Sequence, residues 1–564
     1  MSEPFILIVA LMLPHRYSTE TNRMHSDFNV TAFDFFDTYL PQYQKVFTEA
    51  NAAGAMCSYT STNGVPSCAN TWLLNTVLRE RWGRTDAVIT TDCTAVSNTM
   101  GPPLNLATKE EAAAAIINGG TDVEMGSSIW NTSMRSAVAK GLVSEATIDE
   151  SVRRVLKSRM RQGDFDPVED IEWAAIPANV INSSAHQAVA YDAALQSMVL
   201  LKNRGEVLPL KPGVKLAVVG PGALAQEGLV GPYFGDCICW SPHEMRGNYT
   251  YDCIATVASQ LEAANTGGTT TVASGISVSG RDTSGIAKAL ALVDDAEVVV
   301  LVLGDDHSVE HEGRDVADIT LPGIQDSFAQ QVLGRNKPTV LVLLGNDGTG
   351  IDDLVSGSDA IVRAFYPATH GSKALASLLF GNTNRWGKLP VTMYPRGYVQ
   401  QLPKMGQHTG TAYAMAHGEG RSYRYYKGKP LFSFGTGLSY SNFSIACAPL
   451  TKDSDGSVHV SCTVTNTGPV VGDEVVMVFH AVGDSIRTRV DKLHPVPLRQ
   501  LVDFARVGDL EPRASANVTF ALRREAAFSL TTASGAREVY SGEHRIVVST
   551  GVPSVPDVIL TITM

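Results

Sequence analysis

The residues best suited to chemistry are three carboxylates that follow apolar strands. Asp92 ends the run AVITT (87–91), and Glu310 and Glu312 follow EVVVLVLG (297–304) within one short loop. Parallel α/β proteins place their sites just past the carboxyl ends of strands. Two carboxylates facing one pocket would suit glycoside hydrolysis, in which one attacks or stabilises the anomeric carbon and the other protonates the leaving oxygen. On position alone, Asp92 could equally cap a helix, and the glutamates could lie in a solvated loop.

Two further motifs match known patterns only loosely. KLAVVGPGALA (215–225) satisfies the G-x-G-x-x-G/A dinucleotide pattern, but Pro221 stiffens the turn and the next acid, Asp236, does not end a strand. HSVEH (307–311) satisfies H-x-x-E-H, a zinc-hydrolase pattern that requires a helix, yet it follows a strand closely and runs into Gly313. The favoured interpretations are a tight strand–helix turn and a loop, so we expect no cofactor and no metal.

The elements that must position these residues fall into three regions. Residues 1–165 alternate short apolar strands, including TDVEM (121–125), with helices, and a polar linker spans 166–185. Thr108 and Glu111 are predicted to form a capping box before one of these helices. Residues 186–405 form a second α/β region with near-continuous apolar strands, typical of a sheet covered on both faces, at KLAVVG (215–220), EVVVLVLG (297–304), TVLVLLG (339–345) and AIVRAFY (360–366). After a second linker at 406–434, residues 435–564 alternate with period two, which predicts an antiparallel sandwich. The fold class is therefore α/β multidomain.

Composition excludes several classes of protein. The net charge of -12 disfavours nucleic acid as a partner and gives no support to binding at an anionic membrane surface. The apolar run Phe5–Leu13 is too short to span a bilayer, and its acidic flank favours a strand over a signal peptide. Eight cysteines are too few for a disulfide scaffold, but their clustering and six N-x-S/T sequons favour a secretory protein. The sequons lie at Asn29, Asn131, Asn182, Asn248, Asn442 and Asn517.

One stretch of about forty residues is far more specific than these patterns. MCSYTSTNGVPSCANTWLLNTVLRERWGRTDAVITTDCTAV (56–96) joins a Met-Cys-small-Tyr strand, an NG-x-P-x-C-A turn, a leucine-rich helix ending in Trp-Gly and a strand ending in Asp-Cys. This combination resembles glycoside hydrolase family 3, in particular its fungal and plant β-xylosidase branch. Further matches follow in order: VLLKNRGEVLPL (199–210), EHEGRDVADITLPGIQ (310–325), GRSYRYYKGKPLFSFGTGLSYSNF (420–443) and VPLRQLVDFARV (496–507).

The resemblance implies a fold for each region. Residues 1–165 would be the C-terminal part of a (β/α)8-type catalytic barrel, and 186–405 an αβα sandwich that carries the acid/base loop. Residues 435–564 would be a fibronectin-III-like domain. A complete barrel needs about 250 residues, so its N-terminal half is expected to be missing from this chain. Three explanations stay open: a fragment of a working enzyme, a barrel half supplied by another chain, or a degenerate carbohydrate binder.

The resemblance also implies roles for single residues. Asp92 would be the nucleophile of a retaining double displacement, with Glu310 favoured over Glu312 as the acid/base. Tyr59 would line the sugar subsite and could reach the nucleophile through its hydroxyl. Cys93 is the residue that the xylosidase branch carries after its nucleophile, where glucosidases more often have tryptophan.

Two positions depart from the family pattern. A Lys-His substrate pair is expected before RYSTE, but the sequence has Pro14-His15, so only His15 matches. The Asp-Arg pair expected after the glycine of the acid/base loop is replaced by Asp315-Val316, with Arg314 as the nearest arginine.

The expected function is that of a secreted, cofactor-independent retaining exo-glycosidase. It would remove terminal β-D-xylose, or α-L-arabinofuranose, from xylan-derived oligosaccharides. A catalytically inactive carbohydrate-binding remnant and a β-glucosidase are the alternatives. A disulfide between Cys57 and Cys68 is also predicted.

Overall fold

The computed structural model describes residues 8–11, 22–231, 239–241, 246–248, 251–316, 318–345, 348–402 and 413–564. His15 lies outside these ranges. The chain divides into two compact units. The first unit comprises Met1–Pro177, Leu402–His417 and Thr531–Ala536, and the second comprises Ala178–Gln401, Gly418–Leu530 and Arg537–Met564.

The first unit contains a sheet of parallel strands. The strands of this unit are β1 (Ile8–Leu11), β2 (Asp27–Phe28), β3 (Gly54–Cys57), β4 (Ser61–Thr62), β5 (Val65–Pro66) and β6 (Val88–Thr91). The sheet has the order β1-β3-β6, and β2, β4 and β5 form a small separate sheet. The apolar run Phe5–Leu13 thus contains a strand at Ile8–Leu11, as predicted.

The strand expected at Thr121–Met125 is reduced to one parallel bridge between Val123 and Thr90. Its neighbour Asp122 explains the short pairing. The Asp122 carboxylate accepts a hydrogen bond from the backbone N–H of Ile89 at 2.8 Å, in place of a ladder bond between backbones. This prediction was correct in position and wrong in extent.

The first unit also contains helices, several of which bury apolar side chains. Those of the first unit are Ala32–Asp34, Phe35–Tyr39, Pro41–Thr48, Ser67–Ala69, Trp72–Arg81, Ala95–Asn98, Lys109–Gly119, Ile129–Ala139, Glu145–Arg161, Val168–Asp170 and Glu172–Ala175. The leucine-rich segment before Gly83 is helical, as predicted, and buries Leu74 and Leu78 completely. The predicted capping box of Thr108 and Glu111 is present, with both of its hydrogen bonds.

The second unit contains a six-stranded sheet that is covered on both faces. The strands of its α/β part are β7 (Val199–Asn203), β8 (Lys215–Val219), β9 (Cys239–Ser241), β10 (Arg246–Asn248), β11 (Thr269–Ala273), β12 (Val298–Gly304), β13 (Thr339–Leu344) and β14 (Ala360–Phe365). The order is β11-β8-β12-β13-β14-β7, and every pair is parallel except β14 with β7. Separate apolar clusters pack on its two faces, which is the predicted αβα arrangement.

The second unit also contains helices. They are Ala178–Val180, Ser184–Ser197, Pro221–Leu224, Glu227–Leu229, Val257–Ala264, Ile286–Asp295, Gln325–Leu333, Asp352–Val355, Gly371–Leu379, Arg396–Gln401, Ser422–Tyr425, Asp484–Val490 and Arg524–Phe528.

The C-terminal part is the predicted antiparallel sandwich. Its strands are β15 (Phe443–Cys447), β16 (Thr451–Lys452), β17 (Val458–Asn466), β18 (Gly472–Val482), β19 (Gln500–Leu510), β20 (Ser515–Leu522), β21 (Leu530–Thr531), β22 (Arg537–Glu538), β23 (Glu543–Ser549) and β24 (Val558–Thr563). One sheet has the order β15-β17-β16 with β20 beside β17, and the other has the order β19-β18-β23-β24. Alternate residues of β17 are buried in the core between them.

Three disulfides join cysteines close in sequence. Cys57–Cys68 is bonded as predicted, and Cys239–Cys253 and Cys447–Cys462 are bonded too. Among the described residues, none of the helices combines the length and apolarity that a membrane crossing requires.

Candidate active site

Asp92 lies where β6 ends, beside the end of β3. Its backbone N–H donates to the carbonyl of Cys57 at 3.1 Å, which continues the pairing of the two strands by one residue. Its half-buried carboxylate accepts a hydrogen bond from the N–H of Cys93 at 2.7 Å. The N-cap of the following helix, Ala95–Asn98, is Thr94, which lies in the left-handed region with φ 69°. Asp92 therefore does not cap this helix, and that alternative is wrong.

Tyr59 reaches Asp92 from the loop after β3. Its hydroxyl is hydrogen-bonded to the Asp92 carboxylate, and the Arg23 guanidinium carbon lies 4.9 Å from the centre of its ring. Burial raises the pKa of Tyr59, and the hydrogen bond and charge of Asp92 raise it further, while the charge of Arg23 opposes them. Tyr59 therefore stays protonated and acts as a neutral donor to the carboxylate. The predicted contact is present.

The turn after Asp92 rests against a second segment of the unit. The N–H of Thr94 donates to the carbonyl of Met125 at 2.9 Å, and the N–H of Met125 donates to the Thr91 hydroxyl at 2.8 Å. Gly126, with φ +70°, lies so close that a Cβ there would be 2.8 Å from the Cβ of Cys93. The Cys93 thiol is free and exposed. The sequence reasoning missed Met125 and Gly126, although their place at the end of TDVEMG, next in line after β6, was a usable signal.

A buried ion cluster supports β6 from its other end. The Asp122 side chain is fully buried and accepts hydrogen bonds from Arg79 at 2.8 Å and Arg154 at 2.9 Å. Together with its bond to the N–H of Ile89, these contacts hold the strand that ends at Asp92.

Glu310 and Glu312 lie in the second unit, in the loop 305–316 that follows β12. Glu310 is half-buried and Glu312 is exposed. The N–H groups of Val309 and Glu310 donate to the carbonyl of Asp306 at 2.9 and 3.2 Å, which closes a single turn. HSVEH forms turns rather than a helix, as predicted, so its two histidines do not share a helix face. Among the described residues, no group of three or more His, Cys, Asp or Glu is arranged to hold a metal ion.

The far end of this loop folds back on itself. His311 and Arg314 exchange two backbone hydrogen bonds of 3.3 and 2.9 Å around Gly313, which has φ +84°. The Arg314 guanidinium donates to the carbonyl of Ser308 at 3.0 Å. Arg314 thus stabilises its own loop.

A cleft of about 520 Å³ opens at the carboxyl ends of β8 and β12. Its described lining residues include Glu227, Asp305 and Asp306 but no lysine or arginine, which disfavours a phosphate group. The glycine motif after β8 borders this cleft, and a Cβ at Gly220 would overlap the carbonyl oxygen of Val302. The motif serves close packing of strands, in agreement with its interpretation as a tight turn.

Comparisons with known proteins agree with this architecture. Residues 17–158 match the glycosyl hydrolase family 3 N-terminal domain, 198–440 its C-terminal domain, and 474–552 the fibronectin type III-like domain. The Aspergillus fumigatus protein named probable exo-1,4-β-xylosidase is 31% identical over 561 residues, which cover 95% of this chain and 68% of that protein. An Aspergillus flavus protein of the same name is 30% identical over 548 residues, covering 93% and 66%.

Solved structures agree as well. A GH3 exo-β-xylosidase in complex with a xylobiose aziridine probe superposes with a TM-score of 0.83 at 27% identity, covering 96% of this chain and 69% of that one. The β-glucosidase from Listeria innocua in complex with glucose gives 0.78 at 26% identity, covering 95% and 71%. The chain thus spans about two thirds of the length of the curated relatives it matches. On these matches, the chain belongs to glycosyl hydrolase family 3.

Proposed function

We propose that this protein is a retaining exo-glycosidase that removes terminal β-D-xylose, or α-L-arabinofuranose, from xylan-derived oligosaccharides. The observation that carries the proposal is the setting of Asp92. Its carboxylate stands at the carboxyl end of a parallel strand, oriented by the N–H of Cys93 and the hydroxyl of Tyr59. A nucleophile needs such an orientation, because a fixed carboxylate can attack the anomeric carbon without first reorganising. The names of the fungal relatives favour xylose as the sugar.

In this reaction Asp92 attacks the anomeric carbon and the bond to the leaving oxygen breaks, which gives a covalent glycosyl-enzyme. Glu310 donates its proton to that oxygen, then takes a proton from water as the water releases the sugar from Asp92. We favour Glu310 over Glu312 because Glu310 is half-buried, and burial favours the protonated form that the first step requires. Tyr59, Cys93 and His15 would contact the sugar.

A mechanism-based 2-fluoro-xyloside tests the nucleophile. We expect the intact mass to rise by one fluoroglycosyl group and peptide mapping to place it on Asp92. Asp92→Ala should abolish the adduct, whereas Asp149→Ala, at an exposed helix position of the same unit, should keep it. An adduct that persists in Asp92→Ala overturns the assignment. Sugar binding without any adduct would instead support an inactive carbohydrate-binding remnant.

A second candidate is a β-glucosidase, since the Listeria innocua enzyme in complex with glucose shares the fold. The p-nitrophenyl β-xyloside, α-L-arabinofuranoside and β-glucoside separate these specificities by kcat/KM. The proposal requires the glucoside to be the poorest substrate of the three.

We also propose that the protein works outside the cell. Three disulfides persist only in an oxidising compartment. Five of the six sequon asparagines are exposed, namely Asn29, Asn131, Asn182, Asn442 and Asn517. Expression in a secreting eukaryotic host should therefore give a glycoprotein whose mass falls on treatment with an N-glycosidase. A secreted product whose mass is unchanged by that treatment would count against this assignment.

A further inference from the structure

The loop that carries Glu310 is tied at its first residue to another strand. Asp305 directly follows β12 and is buried, with 9% of its surface exposed. The hydroxyl of Tyr366 donates to its Oδ1 at 2.9 Å. Tyr366 directly follows β14, where Phe365 has φ +56°. Since β13 lies between β12 and β14, this hydrogen bond crosses the end of the intervening strand.

A glycine at the end of β13 leaves space for this hydrogen bond. Gly345 follows β13 with φ +82°, and a Cβ at this position would overlap the carboxylate of Asp305. Its N–H donates to the carbonyl of Phe365 at 2.8 Å, and its carbonyl accepts from the Arg363 guanidinium at 3.0 Å. Any side chain at position 345 would displace Asp305. The contact between Asp305 and Tyr366 therefore depends on a glycine here.

Tyr366 is influenced by Glu310 as well as by Asp305. Burial raises the pKa of Tyr366, as do the charge and hydrogen bond of Asp305 and the charge of Glu310, while the charge of Arg363 opposes them. Tyr366 therefore stays protonated and donates to Asp305. Further along the loop, the carbonyl of Asp306 closes the turn to Glu310, and His307 Nδ1 lies 3.4 Å from Glu227.

We propose that Asp305 and Tyr366 form a positioning pair for the acid/base Glu310. Their hydrogen bond holds the start of the loop, and the turn from Asp306 to Glu310 follows directly. A general acid must be held within reach of the leaving oxygen, so a fixed start of its loop favours the competent geometry. This inference rests on the proposed function, since it needs Glu310 as the acid/base.

Two isosteric variants test the hydrogen bond from either side. Asp305→Asn replaces a charged acceptor by a neutral one and should weaken the bond to Tyr366. Tyr366→Phe removes the hydrogen bond and should loosen the loop. Tyr191→Phe is the matched control, because it removes a hydroxyl bonded to Ser377 elsewhere in the same unit.

The leaving group distinguishes acid catalysis from general damage. We expect Asp305→Asn and Tyr366→Phe to lower kcat/KM for xylobiose about tenfold and to affect 2,4-dinitrophenyl β-xyloside little, because that leaving group departs without a proton. Glu310→Gln is the reference and should show the same contrast more strongly. Hydrogen exchange at the amides of Val309 and Glu310 should quicken in Tyr366→Phe and remain unchanged in Tyr191→Phe.

The outcomes separate this inference from the proposed function. If Glu310→Gln shows the contrast but both pair variants keep the wild-type substrate ratio and exchange rates, the positioning pair is wrong and the function stands. If Glu310→Gln shows no contrast, the acid/base assignment fails and this inference fails with it. Should the protein turn over no substrate, exchange decides alone, and unchanged exchange in Tyr366→Phe overturns the pair.

Discussion

The hydroxyl of Tyr59 is hydrogen-bonded to the carboxylate of Asp92, although the two residues belong to different strand–loop connections. The parallel pairing of β3 with β6, in which Cys57 lies opposite Thr91, brings these connections together. The geometry of the proposed nucleophile is therefore set by strand register as well as by its own turn.

Removing this hydroxyl should weaken catalysis without unfolding the protein. A hydrogen bond to a charged group contributes about 1.5–3 kcal/mol, so Tyr59→Phe should lower kcat/KM and the rate of 2-fluoro-xyloside labelling about tenfold or more. Tyr39→Phe is the control, because it removes a buried hydroxyl bonded to the carbonyl of Tyr413 in the same unit. Equal losses in the two variants would show that the Tyr59 effect is merely structural.

Gly126 should tolerate no side chain. Its positive φ alone makes Gly126→Ala cost about 1–2 kcal/mol of unfolding free energy, and the new Cβ would also press on Cys93. Gly141→Ala isolates the first effect, since Gly141 has φ +72° and no heavy atom within 4 Å of its Cβ position. Urea unfolding should show a larger loss at 126, and only that variant should label slowly at Asp92. Equal losses of unfolding free energy and equal labelling rates in the two variants would contradict the contact between position 126 and Cys93.

The buried ion cluster should contribute much more than a surface pair. Asp122→Ala leaves Arg79 and Arg154 without their central carboxylate, and breaking such a pair costs about 3–5 kcal/mol. Asp164→Ala removes an exposed partner of Arg159 and should cost less than about 1 kcal/mol. Denaturant unfolding of the two variants measures the difference. A loss at Asp122 as small as that at Asp164 would show that the cluster relaxes freely.

The sandwich should lose stability in acid because of two buried histidines. His544 Nε2 donates to the carbonyl of Tyr540, so its Nδ1 accepts from His480 Nε2 at 2.8 Å, and His480 Nδ1 accepts from Gln500 at 3.1 Å. Every ring nitrogen is thus committed in the neutral form. Burial lowers the pKa of His480 to about 3 and also lowers that of His544, with the charges of Arg537 and Arg524 acting in the same direction.

Proton uptake by the unfolded chain sets the direction of this pH effect. At His480 the unfolded chain takes up a proton below about pH 6.5 and the folded chain does not, so stability falls as pH falls from about 6.5 toward 3, by about 1.4 kcal/mol per pH unit. The lowered pKa of His544 acts in the same direction. His480→Gln keeps a donor toward His544 and should flatten this decline in thermal melts. His459→Gln, on a more exposed histidine of β17, should leave the decline intact. If His480→Gln loses stability in acid as steeply as the wild type, the role given to His480 is wrong.

Much of the architecture could be predicted because burial on both faces leaves an apolar run. β8, β12, β13 and β14 were all predicted this way. β11 was missed because Thr269–Ala273 lies at the sheet edge, where three of its side chains are threonines and little apolar signal remains. Thr121–Met125 looked like a strand, but the Asp122 carboxylate replaces a backbone partner there.

The site could be predicted only in part. Asp92 and its contact with Tyr59 followed from one continuous stretch of about forty residues, although their catalytic roles stay proposals. The contact of Asp305 with Tyr366 could not be predicted from the sequence, because it joins residues 61 positions apart and depends on the space left by Gly345. Tertiary contacts of this kind leave no local pattern of residue types.

The antiparallel edge strand β7 has a consequence for synthesis on the ribosome. Val199 pairs with Arg363, about 160 residues later in the chain. At about 5–20 residues per second, the nascent strand waits on the order of 10–30 s for its partner. During that interval the apolar residues Val199, Leu200 and Leu201 have no sheet to join, so this short segment is where a nascent-chain chaperone would be needed.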